Sequence, residues 1–160
     1  MERPGTKRKK EHVSEKVLFV CTHNSARSQM AEGILRHIAG DRFEAFSAGT
    51  EPGSLHPLAV HAMAEIGIDI SGQSSKSVDP FVGERFDFVI TVCDQVREAC
   101  PIFPGADRQI HWSLPDPAAV QGTEEERLDT FRRVRDEIAA CIQRFVEDAT
   151  TGRFKRGTSS

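Results

Sequence analysis

The chain has 160 residues, a formal net charge of −3 and 28% charged residues. That length fits one domain able to bury roughly two thirds of its unfolded surface. The slightly acidic balance argues against a nucleic-acid partner, and no apolar run approaches the ~18–20 residues of a membrane-spanning helix.

In chain order, residues 1–15 are basic and polar, with no apolar core of a secretory signal, and read as a disordered N-terminal extension. Residues 16–21 (KVLFVC) read as a buried strand, and 25–38 as a helix in which Met30, Ile34, Leu35 and Ile38 recur at helical spacing. Residues 43–49 (FEAFSAG) alternate like a strand. Residues 56–67 form a helix opened by Pro57 and closed by Gly67. After a polar loop holding Lys76, residues 87–93 (DFVITVC) read as a second fully buried strand and 108–114 as a shorter one. A long amphipathic helix over 123–148 opens on a Thr123–Glu126 capping box. Its apolar stripe is Leu128, Phe131, Val134, Ile138, Cys141, Ile142 and Phe145. Residues 150–160 are expected to be a flexible basic tail, which leaves 16–149 as the domain.

Strands alternating with helices imply an α/β domain with a parallel sheet covered on both faces. In such sheets, sites lie beyond the carboxyl ends of the strands. Cys21 ends the first strand, Cys93 the third, and Asp116 follows the fourth. Residues distant in sequence should therefore meet at one edge.

The segment CTHNSAR (21–27) carries the chemistry. A short loop between a strand and a helix N-terminus can aim its N–H groups at a common centre, where the helix dipole adds partial positive charge. Arg27 supplies a planar fork for two oxygens of a tetrahedral oxyanion. The same field favours a nucleophilic thiolate at Cys21. Thr22, Asn24, Ser25 and Ser28 are small polar residues suited to such a loop. Neither a G-x-x-x-x-G-K-[ST] nor a G-x-G-x-x-G follows a strand, so a nucleotide site is not indicated. Asp116, held in LPDPAA, can donate a proton to a leaving oxygen. With no export signal the cytosol is the expected compartment, where cysteines are catalytic or core rather than disulfide-bonded. Cys141 falls on the helix stripe and reads as core. His56, His61 and His111 read as structural or surface residues, and His23 as a filler of the loop.

VCTHNSARSQMAEG, SAGT, TVCDQVREACP and WSLPDPA, taken together, resemble the thioredoxin-coupled arsenate reductases built on the low-molecular-weight protein tyrosine phosphatase fold. The resemblance spans residues 16–147. It implies a single three-layer domain, a four-stranded parallel sheet flanked by helices on both faces, with no cofactor. It implies Cys21 as nucleophile, Thr22, His23, Asn24, Ser25, Ala26 and Arg27 as the oxyanion loop, Ser28 as support for the thiolate, and Asp116 as general acid. Cys93 and Cys100 match two redox cysteines that ordinary phosphatases of this fold lack. The implied reaction is arsenate reduction through a Cys21–Cys93–Cys100 disulfide relay, regenerated by thioredoxin. Some members bind potassium through an Asn, a Glu, a Ser and an Asp; Asn24, Glu32 and Ser47 match three, but Lys76 stands where the Asp would be, so no metal is expected.

The alternative is a phosphatase for phosphotyrosine or a small phosphate ester, which needs Cys21, Arg27 and Asp116 but neither Cys93 nor Cys100. The chain has no tyrosine, and Ala118 follows the Asp-Pro pair, whereas phosphotyrosine-specific relatives line their entrance with aromatics. A non-enzymatic oxyanion sensor would keep the loop but needs no acid at position 116.

Overall fold

A computed structural model describes residues 14–93 and 102–152. Four strands form one parallel sheet: β1 (Glu15–Cys21), β2 (Phe43–Gly49), β3 (Phe86–Thr91) and β4 (Ala106–His111). Their order is β2-β1-β3-β4. Among the described residues three α-helices accompany them: α1 (Arg27–Ala39), α2 (Pro57–Glu65) and α3 (Glu124–Thr150).

The strand sequences explain their places. Val17, Leu18, Phe19 and Val20 of β1 are all fully buried, because β1 lies between two neighbours and under both layers; such strands are continuously apolar. β4, with Asp107 and Arg108, is an edge strand of alternating exposure. One face of the sheet presents Val17, Phe19, Phe43, Ala45, Phe88 and Ile90 to the apolar sides of all three helices. The other presents Leu18, Val20, Ala48, Phe86 and Val89 to Val78, Phe81 and Phe103, brought there by a 3₁₀ turn (Asp79–Phe81) and the approach to β4. The long helix carries the expected Thr123–Glu126 capping box. Its stripe is buried as expected at Leu128, Phe131, Val134, Ile138, Ile142 and Phe145; truncating Ile138 to alanine would cost about 2–5 kcal/mol.

Two boundaries differ from expectation in ways that matter for the site. The first helix starts at Arg27, not at Ser25, so residues 22–26 all belong to the loop. The third strand ends at Thr91, and Cys93 lies beyond it. β1 continues into α1 on one face, and the chain leaves β3 next to it. The strand order reverses direction between β1 and β3, so the crevice of the sheet opens between Cys21 and Cys93.

Candidate active site

The loop after β1 is held from outside. The carbonyls of Cys21, Thr22, His23 and Ser25 accept N–H groups from Thr50, Glu51, Gly53 and His56 at 3.2, 2.7, 3.0 and 2.9 Å. The carbonyl of Asn24 accepts Gln29 Nε2 at 2.9 Å, and that of Ala26 accepts the N–H of Met30 at 2.8 Å as the first bond of α1. The loop carbonyls are thus engaged, and the Asn24 N–H is directed at Cys21 Sγ at 3.2 Å. Asn24 makes the bend at φ 51°, in the left-handed region that Asn tolerates best among residues with a side chain. The N-terminus of α1 has no side-chain cap: Ala26 occupies the cap position. Its partial positive charge is therefore directed at the crevice. The close packing of this loop on β2 requires Gly49. A Cβ there would lie 2.6 Å from the Thr22 carbonyl oxygen and 2.9 Å from Asn24 N.

Cys21 ends β1 and is 2% exposed. Its Sγ accepts the Asn24 N–H at 3.2 Å and lies 2.9 Å from Ser28 Oγ. Asn24 Nδ2 donates both to Ser28 Oγ (2.7 Å) and to Ser47 Oγ (3.0 Å). These residues come from the loop, the first turn of α1 and β2. All of Asn24, Ser28 and Ser47 are fully buried, and buried polar groups of this kind persist because they satisfy one another.

Arg27 joins the three strand ends. It is 2% exposed. Its guanidinium donates to the carbonyls of Val92 (3.4 Å) and Leu114 (3.1 Å) and lies 3.8 Å from Asp116 Oδ2. Asp116 caps a 3₁₀ turn (Pro117–Ala119), its Oδ1 accepting the Ala118 N–H at 3.0 Å. The other carboxylate oxygen thus faces Arg27. Cys93 is fully buried, and its Sγ lies 3.9 Å from the carbonyl of Val20, one residue before Cys21. The structure therefore brings Cys21, Arg27, Ser28, Cys93 and Asp116 to one edge of the sheet. Cys100 lies outside the described residues.

The remaining candidates have other surroundings. His23 is exposed, its Nδ1 at 3.0 Å from the Glu51 carbonyl on the outer side of the loop. His56 caps α2 through Nδ1, which accepts the Leu58 N–H at 3.0 Å, and its ring packs on Phe131. Burial, and then the Arg127 charge, push its pKa down against the opposing pull of Asp116. Cys141 is half-buried beside Trp112, and burial pushes its thiol up, away from reactivity.

Two residues escaped the sequence reading. Gln29 is fully buried and ties Asn24 Oδ1 (3.1 Å) and the Ser74 carbonyl (2.9 Å) to α1; a polar residue beside Met30 on the inward side of the helix was its only signal. Gly49 was read merely as the end of a strand.

The profile of the low molecular weight phosphotyrosine protein phosphatase family matches residues 16–153. A protein of Shouchella clausii named arsenate reductase is 47% identical over 136 residues, covering 84% of this chain and 98% of that protein. A solved structure described as an arsenate reductase in the phosphate binding state superposes with a TM-score of 0.73 at 34% identity, covering 84% of this chain and 98% of the other. A thioredoxin-dependent arsenate reductase of Corynebacterium glutamicum gives a TM-score of 0.68 at 29% identity, over 87% of this chain and 63% of that one. With the fold, the loop and these relatives in agreement, the chain belongs to the arsenate reductases of the low molecular weight phosphotyrosine protein phosphatase family.

Proposed function

We propose that this protein reduces arsenate to arsenite, using Cys21 as nucleophile. The observation that carries the reading is the strand-to-helix loop with a buried thiol at its base, that thiol accepting the Asn24 N–H, and the buried Arg27 beside it with Asp116 at 3.8 Å. A tetrahedral oxyanion fits such a loop in shape and charge, and a related arsenate reductase has been solved in a phosphate binding state.

In the proposed reaction, arsenate displaces Asp116 from Arg27 and takes up the loop N–H groups. The Cys21 thiolate forms a bond to arsenic, an As–O bond breaks, and the oxygen leaves as water with a proton from Asp116. The Cys93 sulfur, having lost its proton, then attacks the Cys21 sulfur. A disulfide forms, the S–As bond breaks, and its electron pair stays on arsenic, which departs as arsenite. Two thiols have supplied two electrons. Cys100 next attacks Cys93 and frees Cys21, and thioredoxin reduces the Cys93–Cys100 disulfide by the same exchange chemistry. Support for the first exchange is the position of Cys93, buried beside the end of β1. Support for thioredoxin is the relative described as dependent on it. The relay needs a reducing compartment, which the cytoplasm provides; among the described residues no helix is long and apolar enough to cross a membrane.

Arsenate-dependent NADPH oxidation in the presence of thioredoxin and its reductase tests this, beside hydrolysis of p-nitrophenyl phosphate. Turnover with arsenate that disappears in Cys21→Ser is expected. Rapid ester hydrolysis without arsenate turnover would establish the phosphatase reading instead. Arsenate binding without turnover in the original protein, unchanged in Asp116→Asn, would favour a sensor.

A further inference from the structure

A hydrogen-bond chain leads away from Cys21 through the buried Asn24, Ser28 and Ser47 to Glu32, and ends on a charge pair whose arginine is half-exposed. Asn24 Oδ1 accepts the Lys76 N–H (2.8 Å) and Gln29 Nε2 (3.1 Å). Those two donors fix which end of the Asn24 amide is oxygen. Its nitrogen therefore donates to Ser28 Oγ and Ser47 Oγ. Ser47 Oγ in turn donates to Glu32 Oε1 at 2.5 Å. Glu32, 6% exposed, has its other oxygen on Arg36 at 2.5 Å. Arg36 is itself fixed by the Ala45 carbonyl (2.9 Å) and Gln73 Oε1 (3.2 Å).

The chain has a direction. A carboxylate only accepts, so Ser47 must give its proton to Glu32 and receive from Asn24. Asn24 spends its second N–H on Ser28. Ser28, already an acceptor, has its own proton left for Cys21 Sγ. The bonds thus connect the carboxylate to Ser28 through two intervening side chains, Ser47 and Asn24.

The same residues do not fit a potassium ion. The oxygens of Asn24, Glu32 and Ser47 that such an ion would need are bonded to N–H or O–H donors, and the fourth position is Lys76. Nor does the Lys76 ammonium take the ion's place on the carboxylate: its Nζ donates to the Ser74 carbonyl at 2.5 Å. The positive charge on Glu32 is Arg36, four residues along the same helix.

We propose that Arg36 is a positioning residue for Cys21: a cation carried by the chain itself, holding the Glu32 carboxylate as the terminal acceptor that orients Ser28 towards the sulfur. The inference rests on arsenate reduction at Cys21. Its test is the single-turnover release of arsenite by the full-length protein, measured across arsenate concentrations for Arg36→Met, Arg36→Lys and Glu32→Gln. Arg36→Met should lower the maximal rate about five-fold, the order of effect of one uncompensated charge near the site. The arsenate concentration giving half that rate should not move, because Arg27 and the loop N–H groups are untouched. Arg36→Lys should restore most of the rate. An unchanged rate in Arg36→Met overturns the proposal, as does a loss accompanied by weaker arsenate saturation that lysine does not repair, which would mark a purely structural role. Glu32→Gln keeps the volume but places a donor against Ser47; it should slow the reaction as Arg36→Met does, and an unchanged rate there also overturns the proposal. No arsenite from the unsubstituted protein would overturn the underlying activity rather than the role of Arg36.

Discussion

Ser28 Oγ lies 2.9 Å from Cys21 Sγ while accepting a hydrogen bond from Asn24 at 2.7 Å, so the hydroxyl has one proton and one place to send it. A hydrogen bond to a charged acceptor contributes about 2 kcal/mol. Ser28→Ala is therefore predicted to slow the first chemical step by about thirty-fold, with arsenate saturation unchanged. Single-turnover kinetics check this, and an unaltered rate would remove the hydroxyl from thiolate support.

Gly49→Ala should damage binding rather than the nucleophile. The new methyl meets the Thr22 carbonyl at 2.6 Å and the Asn24 backbone at 2.9 Å, and neither is a flexible side-chain end. The loop must shift, at a cost of about 1–3 kcal/mol. A lower thermal midpoint with a raised arsenate KM is the expected pair of changes; a protein as stable and as tightly saturated as the original would contradict it.

Cys100→Ala is predicted to release about one arsenite per enzyme and then stop, since in the proposed relay the Cys21–Cys93 disulfide needs no Cys100 to form but needs it to be passed outward. Arsenite yield in a single mixing experiment, followed by the steady-state rate with thioredoxin, decides this. A steady-state rate equal to the original removes Cys100 from the relay.

Turnover and thermal midpoint should be the same in matched potassium and sodium salts. The acceptors that potassium would use are already bonded within the chain. A potassium-specific gain in either quantity would show that the ion competes successfully with those bonds.

Glu65 makes stability depend on acid pH. Hydrogen bonds from Arg132, first of all, hold its carboxyl at about 2 against an ordinary 4.5, and Arg135 adds a contact at 3.1 Å, joining α2 to α3. A carboxyl depressed in the folded state stabilises above its unfolded value. That contribution is complete above about 4.5 and is lost as the pH falls towards about 2. The urea midpoint of the original protein should exceed that of Glu65→Gln at pH 6, and the gap should close by pH 2; a gap independent of pH would make the contact non-ionic.

The sequence by itself determined the strand–helix alternation, Cys21 at the end of the first strand, the Asp-Pro loop and the capping box of the long helix. Each of these is a local signal: an apolar run, a helical period, or a side chain bonding within its own turn. It also placed Cys21, Arg27 and Asp116 at one edge, because strands of a parallel sheet all end on the same side. Tertiary structure alone decided how the loop is held. Its carbonyls are engaged by N–H groups from residues 50–56, beyond the next strand, and backbone groups carry no mark in the sequence. Tertiary structure also decided which cation meets Glu32. Lys76 was the charge visible from the motif, yet its ammonium turns to Ser74, while Arg36 lies one helical turn from Glu32 on the same face. Register and rotamer settle such a choice, and both are consequences of packing rather than of residue type.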